Sequence, residues 1–344
     1  MCRRIIGLFG LFLGLGLLFS AALLGGIACF NAPPKEIPPG TGGLVIFEVR
    51  KGESAQSVGQ RLEEKGIIKN RHFWYLLARL DKEYLKAGTY SLEIPATQME
   101  IRAVLKTGRQ LLQRVTIPEG ATLKKTARLL AEAEICDEEA FLAAAADRDI
   151  LSLYQIPGLT MEGYLYPDTY LFPRDYPASR VVAAMADTFF ARLADIWKDA
   201  VSISPEELNR RVIIASIVER EYRMDEEASW MAGVFYNRLK IGMALQSCAT
   251  VEYVITEIQG RPHPEVLYTR DTEIRDPYNT YLRSGLPPGP ISSPGKVALQ
   301  AAFNPVESDY LYFRLVDPVS GRHYFSKTLD DHIQAGVLYV KGNS

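Results

Sequence analysis

Two glutamates near the middle of the chain, Glu219 and Glu221, have the surroundings that a general acid requires. They close the run Val212-Ile-Ile-Ala-Ser-Ile-Val218, which is apolar nearly all round a helix. Such a helix is expected to lie buried in the centre of a domain. A carboxyl beside Ile217 and Val218 loses solvation of its charged form, which suits an acid working near neutral pH. The two side chains are two residues apart, ~200° around a helix, and so face different directions. Periodicity does not choose between them, because both follow apolar or small residues three and four positions back, Ala215 and Ser216 for Glu219 and Ile217 and Val218 for Glu221. The bland alternative is that one or both pair with Arg220, Arg223 or Arg238.

Other chemistries lack their residues. The chain holds no G-x-G-x-x-G, Walker loop, H-E-x-x-H or G-x-S-x-G, and His72, His263, His323 and His332 show no metal-ligand spacing. Nothing calls for a metal or cofactor. Cys2, Cys29, Cys136 and Cys248 form no C-x-x-C pair, so neither a zinc site nor a disulfide framework is expected. Cys136 and Cys248 read as buried free thiols. Ser293-Pro-Gly-Lys296 fits the S-x-x-K nucleophile signature and Lys106-Thr-Gly108 fits K-T-G. The order is reversed from that signature, and Ser293 reads as a helix N-cap instead. Lys plus Arg total 39 against 41 Asp plus Glu, which leaves no electrostatic footprint for nucleic acid. With 47% hydrophobic and 23% charged residues, wholesale disorder and a polytopic membrane protein are both excluded.

The elements that must position the glutamates are legible around them. Ser204-Pro205-Glu206-Glu207 is a helix start, with Ser at the N-cap, Pro at the first position and Glu in a capping box. Val181 to Ala200 precedes it as an amphipathic helix. After it, Asp225 caps a helix from Glu226 to Lys240, with Trp230, Met231, Val234, Phe235 and Leu239 at helical spacing. Gln246 to Pro294 is turn-rich. A short helix from Ser293 ends at Asn304-Pro305, a hairpin joins Tyr310–Val316 to His323–Thr328, and a final helix follows. Strands and helices alternate without a βαβ rhythm, so the fold class is α+β.

Upstream lies an internal repeat at an offset of 68. Phe47-Glu-Val-Arg-Lys-Gly52-Glu-Ser54 is answered by Val115-Thr-Ile-Pro-Glu-Gly120-Ala-Thr122, and Leu62, Ile67 and Phe73 map onto Leu130, Ile135 and Phe141. Each copy reads as strand, Gly turn, Ser/Thr N-cap and amphipathic helix. The spacing resembles a LysM-like glycan-binding module, against the alternative of a β-turn-helix unit that binds nothing. Ahead of it, Met1-Cys2-Arg3-Arg4 precedes an uncharged run from Ile5 to Phe30, long enough to span ~30 Å of hydrocarbon. The basic residues put the N-terminus in the cytoplasm. The run exceeds the ~7–15 residue core of a cleaved signal peptide. A lipoprotein signal ending at Cys29 is disfavoured by Gly26 three positions before it. Residues 31–43, with four prolines and three glycines, read as a spacer off the membrane.

Several ordered motifs carry a likeness to a known family. Ala215-Ser-Ile-Val-Glu219-Arg-Glu221, Val234-Phe-Tyr-Asn237-Arg-Leu, Ile241-Gly-Met-Ala-Leu-Gln246-Ser, Tyr278-Asn-Thr-Tyr281 and Gly285-Leu-Pro-Pro-Gly289 resemble the endolytic murein transglycosylases, the MltG or YceG-like family. Glu162-Gly-Tyr-Leu-Tyr-Pro-Asp-Thr-Tyr170 resembles the opening of that family's catalytic domain. The resemblance implies a single-pass cell-membrane enzyme cutting nascent peptidoglycan strands outside the cell, with cell-wall synthesis proteins as partners. It puts Glu219 at the catalytic position, as acid and then base in closing a 1,6-anhydro ring on MurNAc. Tyr278, Asn279 and Gln246 are the candidates for shaping the substrate cleft. One departure stands out: where the family often has Thr-Asp-Pro-Thr-Val, this chain has Ser247-Cys248-Ala249-Thr250-Val251. The expected organisation is a tip and anchor over 1–30, a linker over 31–43, a LysM-like region over 44–156 and a catalytic domain over 157–344. The rival readings are a non-catalytic peptidoglycan-binding scaffold and a hydrolytic muramidase.

Overall fold

The structure, a computed structural model, describes residues 25–34, 44–81, 85–108, 112–197 and 203–342. The contacts divide the chain into two compact units that meet between Leu112 and Gln113. Most of the expected anchor (residues 1–24) and of the linker (35–43) lies outside the described residues. Residues 25–31 are helical, and among the described residues no helix is long and apolar enough to cross a membrane.

In the first unit, β1 (Leu44–Val49) is followed by α1 (Ala55–Glu64) and α2 (Arg71–Leu80). The chain then returns as β2 (Gly88–Glu93) and ends in α3 (Gln98–Thr107). β1 and β2 pair antiparallel with Phe47 opposite Tyr90. Caps set the helix starts: Ser54 accepts from the Ser57 amide, Asn70 from His72 and Phe73, and Thr97 forms a capping box with Glu100. Trp74, Tyr90, Phe47, Leu62 and Leu105 close the core beneath the sheet.

The second repeat copy belongs to the second unit. There β3 (Leu112–Thr116) leads through Gly120, at φ +72°, to α4 (Leu123–Glu132), capped by Thr122. This is the same grammar as Gly52 (φ +77°) and Ser54 ahead of α1. The left-handed turn explains the glycine at both places. Leu62 and Leu130, like Ile67 and Ile135, are fully buried in their respective cores. The partner of β3 is β4 (Thr169–Pro173), a strand from much later in the chain.

Between them run α5 (Glu138–Ala145) and α6 (Arg148–Leu153); after β4 come α7 (Ala178–Ile196), α8 (Pro205–Glu221), α9 (Asp225–Lys240) and α10 (Cys248–Tyr253). The chain ends with α11 (Lys296–Phe303), the hairpin β5 (Tyr312–Asp317) and β6 (Arg322–Ser326), and α12 (Leu329–Gly342). The class is α+β, with small sheets among packed helices.

α8 is the central helix the sequence implies. Val212 to Val218 are all buried, and each large aliphatic side chain there contributes roughly 1.5–3 kcal/mol. Ser204 accepts from the Glu207 amide, but the Glu207 carboxylate turns to Arg210 and Arg211 instead of completing the box. Ser216, fully buried, takes the Ile291 amide at 3.0 Å, and its own carbonyl accepts from the Ser292 hydroxyl. The 291–295 loop is thereby stitched along α8. Ser293 is not the N-cap of α11; that place belongs to Gly295, while Ser293 exchanges backbone bonds with Gly120 and Ala121.

Candidate active site

The last turn of α8 sends its two glutamates into different surroundings. Glu219 turns toward the 291–295 loop, where its carboxylate accepts from the Gly295 amide at 2.8 Å. Glu119, from the turn of the second repeat copy, lies over the same glycine: a Cβ on Gly295 would overlap its carboxyl. Burial pushes the Glu219 carboxyl up to about 8. The Gly295 amide and Arg220 act against the rise, and the Glu119 and Asp225 carboxylates add to it. The hydroxyl of Tyr222 is pushed up by burial and by the same three carboxylates. Glu219 thus sits in a crowded acidic corner, held by one backbone donor.

Glu221 faces a cavity of about 530 Å³. Its walls include Arg220, Gln246, Cys248, Tyr281 and His323, with Phe313 and Tyr312 behind. The Ser247 hydroxyl donates to Glu221 Oε1. Burial raises the Glu221 carboxyl, opposed first by the Ser247 hydroxyl, then also by His323 and the Ala249 amide, while Glu252 adds to the rise.

The cavity walls are held by groups from distant parts of the chain. Arg238, nearly buried, reaches from α9 to the carbonyls of Leu245 and Leu311, both at 2.6 Å. Asn237 donates to the carbonyls of Ser308 and Tyr310. A Cβ on Gly233 would lie 2.4 Å from the Val306 carbonyl oxygen, so only glycine lets that strap approach α9. Glu227 orients His323: its carboxylate lies 2.7 Å from the ring Nδ1 and also accepts from the His323 amide. Both side chains are nearly buried.

The residues expected to shape the cleft divide. Gln246 lines the Glu221 cavity and holds φ +50°, a strained backbone for a non-glycine residue. Asn279 does not line it. It is fully buried, donates to the carbonyls of Thr272 and Ile274 at 2.8 Å, and accepts the Tyr281 amide at 3.0 Å. Its work is to fold the 272–281 loop that presents Tyr281. Tyr278 is also absent from the lining, and packs on Tyr253 with ring centroids 5.0 Å apart. Tyr253 in turn donates to Glu162, whose carboxylate takes the Leu123 amide at the start of α4. Burial raises Glu162 to about 8, with that amide opposing. Asp168 sits beside Arg192 and caps its own strand.

Cys136 is half-buried and its thiol is pushed up to about 11 by burial. Cys248, expected to be buried, is exposed in the cavity wall, 3.1 Å from the Tyr281 hydroxyl. Sequence reasoning passed over Ser247, Tyr281 and the His323–Glu227 pair as parts of this site. Tyr281 and Ser247 stood inside quoted motifs, which was the available signal.

The sequence pattern of the YceG-like family matches residues 47–336, which takes in most of both units and every residue lining the cavity. The chain belongs to the YceG-like family. Among its relatives, the endolytic murein transglycosylase of Streptococcus pneumoniae strain R6 is 30% identical over 320 residues, covering 84% of this chain and 57% of that protein. The chain therefore spans a little over half the length of that relative. The endolytic murein transglycosylase of Bacillus subtilis is 28% identical over 322 residues, covering 87% of this chain and 86% of its own. A 2.6 Å crystal structure of a putative YceG-like protein from Listeria monocytogenes superposes with a TM-score of 0.55 at 31% identity. That match covers 85% of this chain and 98% of the Listeria chain. The YceG-like fold thus accounts for the α+β arrangement seen here.

Proposed function

We propose that this YceG-like protein is an endolytic lytic transglycosylase cutting the MurNAc–GlcNAc bond within peptidoglycan strands, and that Glu221 is its acid and base. The observation that carries the assignment is the 530 Å³ cavity with Glu221, Gln246 and Tyr281 in its wall. In the first step the Glu221 carboxyl gives its proton to the glycosidic oxygen as the C1–O bond breaks. The carboxylate then takes the proton of the MurNAc C6 hydroxyl, whose oxygen bonds to C1 and closes the 1,6-anhydro ring. The substrate supplies the nucleophile, so no second carboxylate is needed to activate water, unlike a hydrolase. Gln246 and the Tyr281 hydroxyl offer neutral dipoles to the oxocarbenium-like sugar.

Glu219, the residue that the family resemblance puts in this role, is a second reading favoured by its carboxyl being held at about 8. Both carboxyls hold donors, Gly295 for Glu219 and Ser247 with Ala249 for Glu221, and we favour Glu221 because it is the one in the wall of the 530 Å³ cavity. Anchoring through Ile5–Phe30, an external catalytic unit and attachment to cell-wall synthesis proteins complete the proposal; the repeats are candidate glycan contacts.

The test is mass spectrometry of products from uncrosslinked glycan strands. Wild-type chain should give anhydro-ended fragments, and Glu221→Gln should lose ~10²–10⁴ in rate, the usual worth of a general acid. Retention of activity in Glu221→Gln with loss in Glu219→Gln would hand the role to Glu219. Reducing ends would make the protein a hydrolase, and binding without cleavage by the wild type would make it a scaffold.

A further inference from the structure

The uncharged run ends inside the first unit, and the structure ties that end down. Phe30 stacks on Phe73 of α2 with centroids 6.2 Å apart. Its carbonyl accepts from Gln98 of α3, and the Asn31 side chain caps the Met99 amide at 3.0 Å. These three ties precede residues 35–43. The Pro/Gly stretch over 31–43, expected to hold the unit off the membrane, is therefore tied to the unit at its first residue, before any of its prolines. Whatever surface Phe30 emerges from, α2 and the start of α3 emerge beside it.

The side chains around that junction do not suit water. Leu80 is 74% exposed, Met99 53%, Leu76 51% and Phe30 49%, with Tyr75 beside them at 42%. Leu76 and Leu80 are four residues apart on α2 and continue the stripe of Phe73, which Phe30 covers. Leu80 and Met99 share a groove with Arg102 and Lys106, both turned to Asp81. Exposed apolar side chains in the middle with a tyrosine beside them make the pattern of a surface lying in a lipid interface.

We propose that this face, built from Phe30, Tyr75, Leu76, Leu80 and Met99, rests on the bilayer and fixes the first unit against the membrane surface. The proposal rests on the reading of Ile5–Phe30 as membrane-crossing, and is independent of the reaction and of which glutamate serves it. The occupant is lipid because the run that ends at the patch is itself lipid-compatible along its 26 residues.

The experiment uses the full chain with its four cysteines changed to serine, its fold checked by circular dichroism. Single cysteines at Leu76, Leu80 or Met99 are spin-labelled after reconstitution into vesicles of phosphatidylcholine and phosphatidylglycerol. Collision with oxygen, which concentrates in lipid, is compared with collision with a water-soluble nickel chelate. The oxygen-to-nickel ratio is expected several-fold above that of a label at exposed Gln60 on α1. A ratio equal to that at Gln60 would overturn the proposal. So would labels shielded from both reagents, which would put protein, a partner or a second copy, on this face. Cleavage activity enters neither outcome, so failure here and failure of the transglycosylase reading are separable.

Discussion

Removing the Ser247 hydroxyl isolates the acid. In the native site it donates to Glu221 Oε1 and so favours the ionised carboxylate, against the burial that favours the neutral form. A hydrogen bond to a charged group is worth ~1.5–3 kcal/mol, and 1.36 kcal/mol moves a pKa by one unit. Ser247→Ala should therefore push the Glu221 carboxyl further up, by the worth of that bond. An acid must hold its proton to act, so activity falls as pH rises through that pKa. The alkaline limb of the rate profile should move upward by the same amount in Ser247→Ala. The assay is the rate of anhydro-end formation against pH, with kcat and KM separated. Glu119→Gln serves as control, because Glu119 adds to the rise at Glu219 and is absent from the causes acting on Glu221. An unmoved limb in Ser247→Ala, together with a lowered limb in Glu119→Gln, would refute the argument and transfer the acid to Glu219.

Two further outcomes follow from the surrounding geometry. Glu219 is protonated in the fold up to about pH 8 but ionises near pH 4.3 when unfolded, so the folded state binds the extra proton across that window. Stability should fall as pH rises through it, at up to about 1.4 kcal/mol per pH unit from this group. Glu219→Gln, whose amide oxygen still accepts from Gly295, should flatten that slope in thermal melts between pH 5 and 8; an unchanged slope would mean the group is ionised in the fold. Asn279→Asp should leave the Thr272 and Ile274 carbonyls facing a carboxylate in place of an amide donor. Each lost partner costs ~1–3 kcal/mol, so the melting temperature should drop and KM rise as the Tyr281 loop loosens; native-like melting would count against a structural role.

Local chemistry made much of this fold legible. Gly52 and Gly120 declared left-handed turns, Ser54 and Thr122 declared caps, and the apolar run before Glu219 declared a buried helix, all from residues within one turn of each other. What the sequence concealed was long-range. The two repeat copies look equivalent, yet β1 pairs with β2 of its own unit while β3 pairs with β4, more than fifty residues on. The boundary expected after residue 156 consequently differs from the division at Leu112, because the second copy packs into the core of the second unit. Asn279 reads as a binding residue in its motif for the same reason: the motif reveals that the loop is special, and only the fold reveals that the amide is consumed inside it.

The pair on α8 shows where helical arithmetic stops. It fixes the angle between Glu219 and Glu221 but not which direction holds the cavity, because α8 is packed on every side over the turns before them. The cavity is made by chain segments from Leu245 to Cys248, around Tyr281 and from Tyr312 to His332, none of which α8 foretells. Arg238 and Asn237 bind those segments by backbone carbonyls, so the wall opposite Glu221 depends on α9. Glu219 meets instead the turn of the repeat and the 291–295 loop, both fixed to α8 through Ser216 and Gly120. Two carboxyls of equal appearance in sequence are thereby given different work: one closes the packing between loop and repeat, and the other lines the cavity, held by the Ser247 hydroxyl and the Ala249 amide.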